Sequence, residues 1–477
     1  MLYDSLIIGG GVIGASVARY LSRFDAKILV IEKNNDVGDE TSSKNSAIVH
    51  SGYDPKEGTL KAKFNVLGNR MMPQVCEELD VPFEKIGSLT VAFSDEEIET
   101  CKMLLERAKK NEVNAVLLTK EELFKIEPNV SREAYGAILC EDAGIVSPFN
   151  LTVNLMENAI DNGAELLLNK KVTKITKKAD FYEVFTEKGD KFETKTVINC
   201  AGLYSENITA LLEEPTYHII PRKGQYYVLD HFLDGWVKHT LFMCPTKVGK
   251  GVLVSPTTSR NYILGPSNED SLKEDNSTSP DILSEVKAAA LKLVPNIPFN
   301  ENIRQFAGVR ANCSIGDFVI EESKLNPGFF NVAGIQSPGL ASSPAIGDYV
   351  SLLVKEKLNL ATKKDWNPRI RPHYSLAKLG KDKYNELIKK NPTYGRLICR
   401  CEKVSEGQIV DAIKRNCGAT TIKGIKKRVR PGFGKCQGTF CEEFVLNILA
   451  RELKLPLSEI KYSTDSNNVL LDTRKGK

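Results

Sequence analysis

The spacing of hydrophobic residues predicts a strand–helix–strand unit at the start of the chain. Residues 6–8 form a short apolar run, residues 12–21 are apolar at helical spacing, and residues 26–31 form a second apolar run. Similar strand patterns at 196–200 and 329–332 are each followed by small residues and a predicted helix. We therefore expect one α/β domain that is assembled from distant segments of the chain.

The remaining pattern divides the chain further. Two stretches have the alternating pattern of strands, as at 225–229 and 251–255, and we expect them to form an inserted α+β domain. A polar, lysine-rich stretch with proline breakers then predicts a linker. Two short helices follow, and Ser405 with Gln408 predicts a capping box at the start of the first. The predicted domains are a Rossmann-like domain (1–80, 145–215 and 303–355), an inserted substrate domain (81–144 and 216–302), a linker (356–395), a small helical domain (396–455) and a tail (456–477).

The composition is that of a folded protein with several domains. The 477 residues are 42% hydrophobic and 26% charged, which excludes intrinsic disorder, and a net charge of +4 is too balanced to indicate a nucleic-acid-binding chain. No basic segment precedes the short apolar run at the amino terminus, so we expect a cytoplasmic protein without a transmembrane segment. The chain has eleven cysteines, which cluster at 399–441. Such a cluster in a cytoplasmic chain indicates a metal site rather than a disulfide framework.

The turn after the first predicted strand carries a dinucleotide-binding fingerprint. Gly9, Gly11 and Gly14 fit the pattern G-x-G-x-x-G, and Glu32 ends the second predicted strand. Glycine allows a tight turn and a close approach of the pyrophosphate, while the glutamate can accept hydrogen bonds from ribose hydroxyls. Two later strands also end in small residues at this site, which suits FAD, the longer dinucleotide, better than NAD.

Five segments, of which the glycine fingerprint is the first, match a superfamily of flavoenzymes. The matching segments are 9–14, 41–46 with 49–52, 199–205, 306–310 and 334–340. Through them the chain resembles the D-amino-acid oxidase and glycerol-3-phosphate dehydrogenase superfamily over roughly residues 1–350. The resemblance implies an α/β fold with a Rossmann-like FAD-binding domain and an inserted α+β substrate domain. It also implies an FAD site formed by Gly9, Gly11, Gly14, Glu32, Lys33, Thr41, Ser42, Ser43, Asn45, Ser46, Val172, Ala201, Gly202, Gly334, Ser337, Gly339 and Leu340.

Physical chemistry adds two expectations about this site. The positive end of the helix predicted at 342–353 would face the flavin and stabilise the negative charge that two-electron reduction produces. Ser42, Ser43 and Asn45 are small polar residues that can bond to phosphate or to the flavin edge.

Oxidation of an alcohol requires a base for the hydroxyl proton as well as a hydride acceptor. Of the five histidines, His50 alone falls in a flavin-proximal motif, and an imidazole can take up a proton near neutral pH. His50 is then either a base or substrate contact, or a structural imidazole near FAD. Arg310 matches the family arginine that binds the anionic group of the substrate, and Tyr53, Lys247 and Lys250 are further candidate substrate contacts.

The resemblance also bears on the substrate. Segments 46–52 and 58–64 are similar both to anaerobic glycerol-3-phosphate dehydrogenases and to L-2-hydroxyglutarate oxidases, whereas 245–251 is more similar to the bacterial glycerol-3-phosphate enzymes. It therefore implies oxidation of sn-glycerol 3-phosphate to dihydroxyacetone phosphate, with L-2-hydroxyglutarate or amino-acid oxidation as alternatives. A redox-sensing or scaffold subunit with structural FAD is the alternative from another class. The histidines expected to be structural are His218, His231 and His239.

Four cysteines form a C-x-C motif at Cys399 and Cys401 and a C-x4-C motif at Cys436 and Cys441. Four thiolates can hold zinc or a [2Fe–2S] cluster, and their number alone does not decide. With the basic run at 427–430, these motifs resemble the bacterioferritin-associated-ferredoxin-like [2Fe–2S] domain over about residues 395–455. The resemblance implies that a cluster passes single electrons to a partner protein in a hetero-oligomer, through which the enzyme would also reach a membrane.

Basic residues are frequent between the two cysteine motifs. Nine lysines and arginines against three acids lie between 402 and 435, and we expect them to stabilise the anionic cluster. Cys417 lies outside both motifs and is expected to be a spectator.

Overall fold

The strand–helix–strand unit predicted at the amino terminus is confirmed. Strand Leu2–Ile8 leads through a glycine turn into helix Val12–Leu21, and strand Ile28–Ile31 returns parallel to the first, with Ile8 opposite Ile31. Every residue of the helix is buried, because two further helices pack on it.

The computed structural model describes residues 1–231, 235–245, 251–464 and 468–469. The strands of these residues are β1 (Leu2–Ile8), β2 (Ile28–Ile31), β3 (Ile48–Val49), β4 (Phe83–Glu84), β5 (Ser88–Ala92), β6 (Val116–Thr119), β7 (Gly136–Cys140), β8 (Gly144–Val146), β9 (Glu165–Leu167), β10 (Val172–Lys177), β11 (Tyr182–Thr186), β12 (Lys191–Asn199), β13 (Ile219–Leu229), β14 (Thr240–Met243), β15 (Leu253–Pro256), β16 (Tyr262–Gly265), β17 (Glu269–Asp270), β18 (Asn302–Cys313), β19 (Val319–Glu322), β20 (Phe329–Ala333), β21 (Leu397–Cys399) and β22 (Val404–Ser405). The α-helices are α1 (Val12–Leu21), α2 (Leu60–Glu78), α3 (Asp95–Lys110), α4 (Lys120–Ile126), α5 (Pro148–Asp161), α6 (Ser205–Thr209), α7 (Pro280–Leu293), α8 (Gly339–Leu358), α9 (Leu376–Lys390), α10 (Glu406–Lys414), α11 (Ile422–Val429) and α12 (Glu442–Leu453).

The first sheet is the parallel sheet of an α/β domain. Strands β9, β2, β1, β12 and β20 run parallel in that order, while β10, β11 and β19 extend the sheet with antiparallel pairs. Helices α1 and α8 pack on each other, and α1 also packs on α5. The carboxyl ends of β1, β2, β12 and β20 therefore share one edge, where an α/β sheet binds its ligand.

A second, mostly antiparallel sheet of nine strands has the order β17, β13, β16, β15, β14, β5, β7, β6, with β18 on β13. Strand β18 pairs with β13 along its whole length, with Arg310 opposite Arg222 and Phe306 opposite Tyr226. The sequence prediction that residues 303–355 all belong to the Rossmann-like domain is thus wrong for β18, because its backbone hydrogen bonds are made in the second sheet. The other predicted domain boundaries stay predictions.

The last part of the chain is helical. Residues 376–390 of the predicted linker form α9, which Ser375 caps by accepting from the amide of Lys378. Helix α10 begins with the predicted capping box: Ser405 Oγ accepts from the amide of Gln408, whose side chain accepts from the amide of Ser405. Helices α10, α11 and α12 enclose an apolar core of their own. Among the residues that the structure describes, no helix is both long and apolar enough to cross a membrane.

Candidate active site

The two sheets meet at a cavity of about 1020 Å³. It follows the carboxyl edge of the first sheet and reaches strands β13, β14 and β18 of the second sheet. The predicted site residues that line it are His50, Arg310, Gly9, Gly11, Glu32, Lys33, Thr41, Ser42, Asn45, Ser46, Val172, Ala201, Gly202, Ser337, Gly339 and Leu340. One cavity thus joins most of the predicted cofactor contacts to both predicted catalytic residues.

The nucleotide end of the cavity is kept open by glycine. Gly9 has a φ of 112°, and a Cβ there would fall 2.5 Å from the carbonyl oxygen of Cys200. Glu32 accepts hydrogen bonds from the amides of Gly10 (2.7 Å) and Asn34 (2.9 Å), which orient its carboxylate at the end of β2. Burial raises the pKa of Glu32, although both amides lower it. This open turn beside an oriented acid fits a dinucleotide.

Loop 41–46 is shaped by its own polar side chains. Ser42 Oγ accepts from the amide of Val12 at 2.9 Å and so caps helix α1. Asn45 accepts from the amide of Ala47 at 2.8 Å, and Thr41 donates to the carbonyl oxygen of Val309 at 2.8 Å. These bonds fix the loop across the mouth of the glycine turn.

Helix α8 presents its first turn to the cavity. It begins at Gly339, three residues earlier than predicted, and residues 337–340 line the cavity. Within the described residues no side chain caps the start of this helix, so its positive end is available to a ligand.

Four described residues that were predicted to contact FAD or the substrate do not line the cavity. Gly14 serves close packing, because a Cβ there would fall 1.9 Å from the carbonyl oxygen of Gly9, and a Cβ on Gly334 would collide with Cys313. Ser43 Oγ donates within its own loop. Tyr53 is buried, and its hydroxyl pairs with Thr90 Oγ1 at 2.8 Å, so its predicted role as a substrate contact is wrong.

Two other predicted substrate contacts, Lys247 and Lys250, lie outside the described residues.

His50 is held at the cavity wall by its ring and its backbone. The ring stacks on Phe242 with centroids 5.7 Å apart and an interplanar angle of 27°. The carbonyl oxygen of His50 accepts from Asn65 Nδ2 (2.6 Å) and Asn69 Nδ2 (3.2 Å), both on helix α2. The imidazole therefore has a defined position beside the predicted flavin site.

Arg310 is a half-buried cation that backbone oxygens orient. Its Nη2 donates to the carbonyl oxygens of Ser267 (2.9 Å) and Lys223 (3.2 Å) and to Asn268 Oδ1 (3.2 Å). In the described part of the chain it forms no salt bridge, and no hydrogen bond uses its Nη1. Burial lowers the pKa of Arg310, but a guanidinium keeps its proton in proteins. The side chain is thus prepared for an anionic ligand.

Sequence analysis missed an aromatic wall of the cavity. Tyr226 lines it, stacks on Phe306 with centroids 4.5 Å apart, and its hydroxyl lies 3.2 Å from Ser46 Oγ. The register of β13 with β18 produces this pair, and periodicity alone could mark both positions only as strand residues.

The three histidines expected to be structural pair with acids away from the cavity lining. His239 Nδ1 lies 3.0 Å from the buried Glu127, and His218 Nδ1 lies 2.9 Å from Glu206. His231 pairs with the neighbouring Asp230 at 2.8 Å.

The four predicted cysteine ligands form two pairs. The sulfur atoms of Cys401 and Cys436 are 4.0 Å apart, and Cys399 lies near enough to Cys441 that, after burial, it also raises the pKa of the Cys441 thiol. Each pair takes one cysteine from each motif. Two thiol pairs fit the two irons of a [2Fe–2S] cluster.

Three buried cations between the cysteine motifs pair with acids of other segments. Arg428 and Lys427 bind Asp36, and Arg415 Nε lies 2.8 Å from both oxygens of Glu157. The expectation that such cations stabilise the cluster is wrong for these three, because acids of the Rossmann-like domain neutralise them.

Comparison with known families finds the same two units. A family model described as FAD dependent oxidoreductase matches residues 4–353, and one described as BFD-like [2Fe-2S] binding domain matches residues 397–451. The chain is 44% identical over 477 residues to a glycerol 3-phosphate dehydrogenase of Caloramator mitchellensis, and the match covers 99% of both chains.

Shorter relatives match as well. A glycerol 3-phosphate oxidase of Mycoplasma genitalium is 35% identical over 388 residues, which cover 78% of this chain and 98% of that protein. The solved structure of L-alpha-glycerophosphate oxidase from Mycoplasma pneumoniae with FAD bound has a TM-score of 0.75 and 32% identity, covering 79% of this chain and 100% of that chain. The chain therefore belongs to the FAD-dependent oxidoreductase family, as an enzyme of the glycerol-3-phosphate dehydrogenase type that binds FAD and carries a BFD-like [2Fe–2S] domain.

Proposed function

We propose that this enzyme oxidises sn-glycerol 3-phosphate to dihydroxyacetone phosphate and passes the electrons through its [2Fe–2S] cluster to a partner protein. The observation that carries the proposal is that His50 and Arg310 line the same cavity as the dinucleotide fingerprint. A base and a cation beside a flavin site suit an alcohol that carries an anionic group. The 44% identity to a relative named glycerol 3-phosphate dehydrogenase supports phosphate as that group.

Arg310 binds the phosphate in this proposal. Its Nη2 is already bound to backbone oxygens, so Nη1 is the donor left for the ligand among the groups that the structure describes. A charge-assisted bond from a half-buried guanidinium inside a cavity is stronger than one at the open surface because less water competes. Lys247 and Lys250 are proposed as additional phosphate contacts.

His50 accepts the proton of the substrate hydroxyl group. As that proton leaves, the hydrogen on the carbon that bears the hydroxyl group departs with its electron pair. The C–O single bond of the alcohol becomes the C=O bond of the ketone. Bound FAD supplies the acceptor for this hydride. Phe242 and the two asparagines of α2 keep the imidazole in place, so the base does not have to be reoriented at each turnover.

The cysteine pair that includes Cys401 marks the exit for electrons. Cys401 is exposed, whereas Cys399 and Cys441 are buried. A partner protein that docks on this face would take single electrons from the cluster and form a hetero-oligomer with the enzyme. Such a partner is also the route by which the enzyme would become associated with a membrane.

An anaerobic titration of the purified protein, followed in the visible flavin band, tests the proposal. Glycerol 3-phosphate should bleach the band, whereas L-2-hydroxyglutarate, lactate and amino acids should not. Bleaching by L-2-hydroxyglutarate or an amino acid instead would assign the enzyme to an alternative substrate class. A band that no candidate bleaches would favour a sensing or scaffold subunit with structural FAD.

A further inference from the structure

Helix α11 of the [2Fe–2S] domain is clamped to a loop of the FAD-binding domain by buried charges. Arg428 donates from Nη1 and Nη2 to the two oxygens of Asp36, each at 2.9 Å. Lys427 Nζ lies 2.7 Å from Asp36 and 2.8 Å from Asp39, and it donates to the carbonyl oxygen of Val37 at 2.8 Å. The four charged side chains are only 2–8% exposed.

Because these charges are buried, the conformation of the loop at 36–39 depends on the position of helix α11. Burial opposes the ionisation of Asp36, but Arg428 and Lys427 outweigh it and hold the pKa of Asp36 well below its usual range. If α11 moved away, Asp36 would stay buried without its cations, or the loop would have to move to bring it to water. Removing one partner of a buried pair is strongly destabilising for that reason. The loop therefore keeps this conformation while α11 is in place.

The clamped loop is continuous with the FAD site. The amide of Gly38 donates to the carbonyl oxygen of Gly10 at 3.0 Å. Val37 packs so closely that a Cβ on Gly10 would lie 3.3 Å from its side chain. Along the chain, the loop connects Glu32 to Ser42, and both of these residues line the cavity. Movement of the loop would thus disturb the glycine turn and the positions of Glu32 and Ser42 in the cavity wall.

The carboxyl end of α11, which carries Lys427 and Arg428, also reaches the cysteine loops. Arg430, directly after the helix, donates from Nε to Glu402 at 2.9 Å, and Glu402 follows Cys401 in the sequence. A Cβ on Gly434 would fall 2.4 Å from the Cβ of Cys401, so the loops that carry Cys401 and Cys436 are in direct contact. Because metal binding by cysteine loops is coupled to their folding, cluster loading orders the segment that holds α11.

We propose that the [2Fe–2S] domain is a positioning element of the FAD site, so that cluster loading and FAD binding strengthen each other. The clamp between Asp36, Asp39, Lys427 and Arg428 carries this coupling. Because coupling between two binding sites is reciprocal, bound FAD also retains the cluster. The proposal holds whichever alcohol the enzyme oxidises.

The test compares the dissociation constant of FAD for the full-length protein with and without its cluster, measured anaerobically by flavin fluorescence. We expect that removing the iron with a chelator weakens FAD binding about tenfold or more. The double variant Asp36→Asn/Arg428→Met removes the paired charges together, so that no buried charge is left alone at this pair. The FAD binding of this variant should differ less between the two states than that of the unmodified protein, and the difference should not vanish entirely, because Lys427 remains paired with Asp39.

A matched control removes an ion pair that joins the [2Fe–2S] domain to the substrate domain instead of to the loop at 36–39. Lys435 pairs with Glu301 at 3.0 Å, away from the loop at 36–39, so Glu301→Gln/Lys435→Met should keep the full difference. The rate at which a chelator removes iron from the unmodified protein, with and without FAD, gives a second measurement that needs no variant. FAD should slow this release. Three results would overturn the proposal. They are a dissociation constant of FAD that does not depend on the cluster, a rate of iron release that does not depend on FAD, and full coupling in the Asp36→Asn/Arg428→Met variant.

Discussion

The imidazole of His50 stacks on the ring of Phe242, which lies on β14 of the second sheet, whereas the backbone of His50 is held by helix α2. The candidate base is therefore fixed from two sides of the cavity. The position of the imidazole therefore depends on β14 and on α2 as well as on the loop that carries His50.

Replacing Phe242 by leucine keeps an apolar side chain but removes the ring that orients His50. Aromatic pairs contribute about 0.5–1.5 kcal/mol beyond burial, so we expect kcat to fall roughly 2- to 10-fold with little change in FAD binding. Steady-state kinetics and flavin fluorescence measure the two effects. Phe444→Leu, at an exposed position of α12, is the matched control and should leave kcat unchanged. An unaltered kcat in Phe242→Leu would show that the stacking does not position the base.

Arg310→Ala should weaken substrate binding much more than FAD binding. Loss of a charge-assisted contact in a buried site costs about 2–5 kcal/mol, so we expect the KM for glycerol 3-phosphate to rise by roughly 30-fold or more. Arg310→Lys retains the positive charge but not the paired donors of the guanidinium. Its KM should fall between those of the unmodified enzyme and Arg310→Ala. KM and kcat equal to those of the unmodified enzyme would remove Arg310 from the substrate site.

Cys436→Ser should separate the two half-reactions. The hydride step uses His50, Arg310 and FAD, so substrate should still bleach the flavin band, whereas transfer to the electron-accepting partner should be lost. Stopped-flow absorbance measures each half-reaction. Cys417→Ser, at a buried cysteine outside both pairs, should retain the cluster and both half-reactions. Full reduction of the partner by Cys436→Ser would mean that electrons leave directly from the flavin.

Thermal stability should decline below neutral pH because of His373. Burial and then the cation of Arg415 lower the pKa of His373 to about 3, although Asp80 raises it. The unfolded chain takes up this proton near pH 6.5, well before the folded chain does, so stability is lost as the pH falls from about 6.5 towards 3. His373→Asn should flatten the decline in Tm between about pH 7 and 5. His231→Asn, at a more exposed histidine, should keep it, and parallel curves for both variants would contradict the assignment.

Local sequence determined much of the fold and the cofactors. The apolar periods set β1, α1 and β2, and the spacing of Ser405 and Gln408 set the capping box, because these structures depend on residues that are neighbours along the chain. The glycine turn and the two cysteine motifs predicted FAD and a [2Fe–2S] cluster, and the family matches confirm these cofactors, since a tight turn and a set of thiols place strict demands on residue type.

Tertiary structure decided which surfaces those elements share. Arg428 and Asp36 are 392 positions apart, and nothing in the local pattern distinguishes a lysine or arginine that faces a cluster from one that binds an acid of another domain. The same holds for Tyr53, which packing buries behind the cavity wall, and for β18, whose partner strand assigns it to the second sheet. Burial, register and charge pairing between distant segments arise when whole surfaces pack together, so the sequence alone could name these residues but not their neighbours.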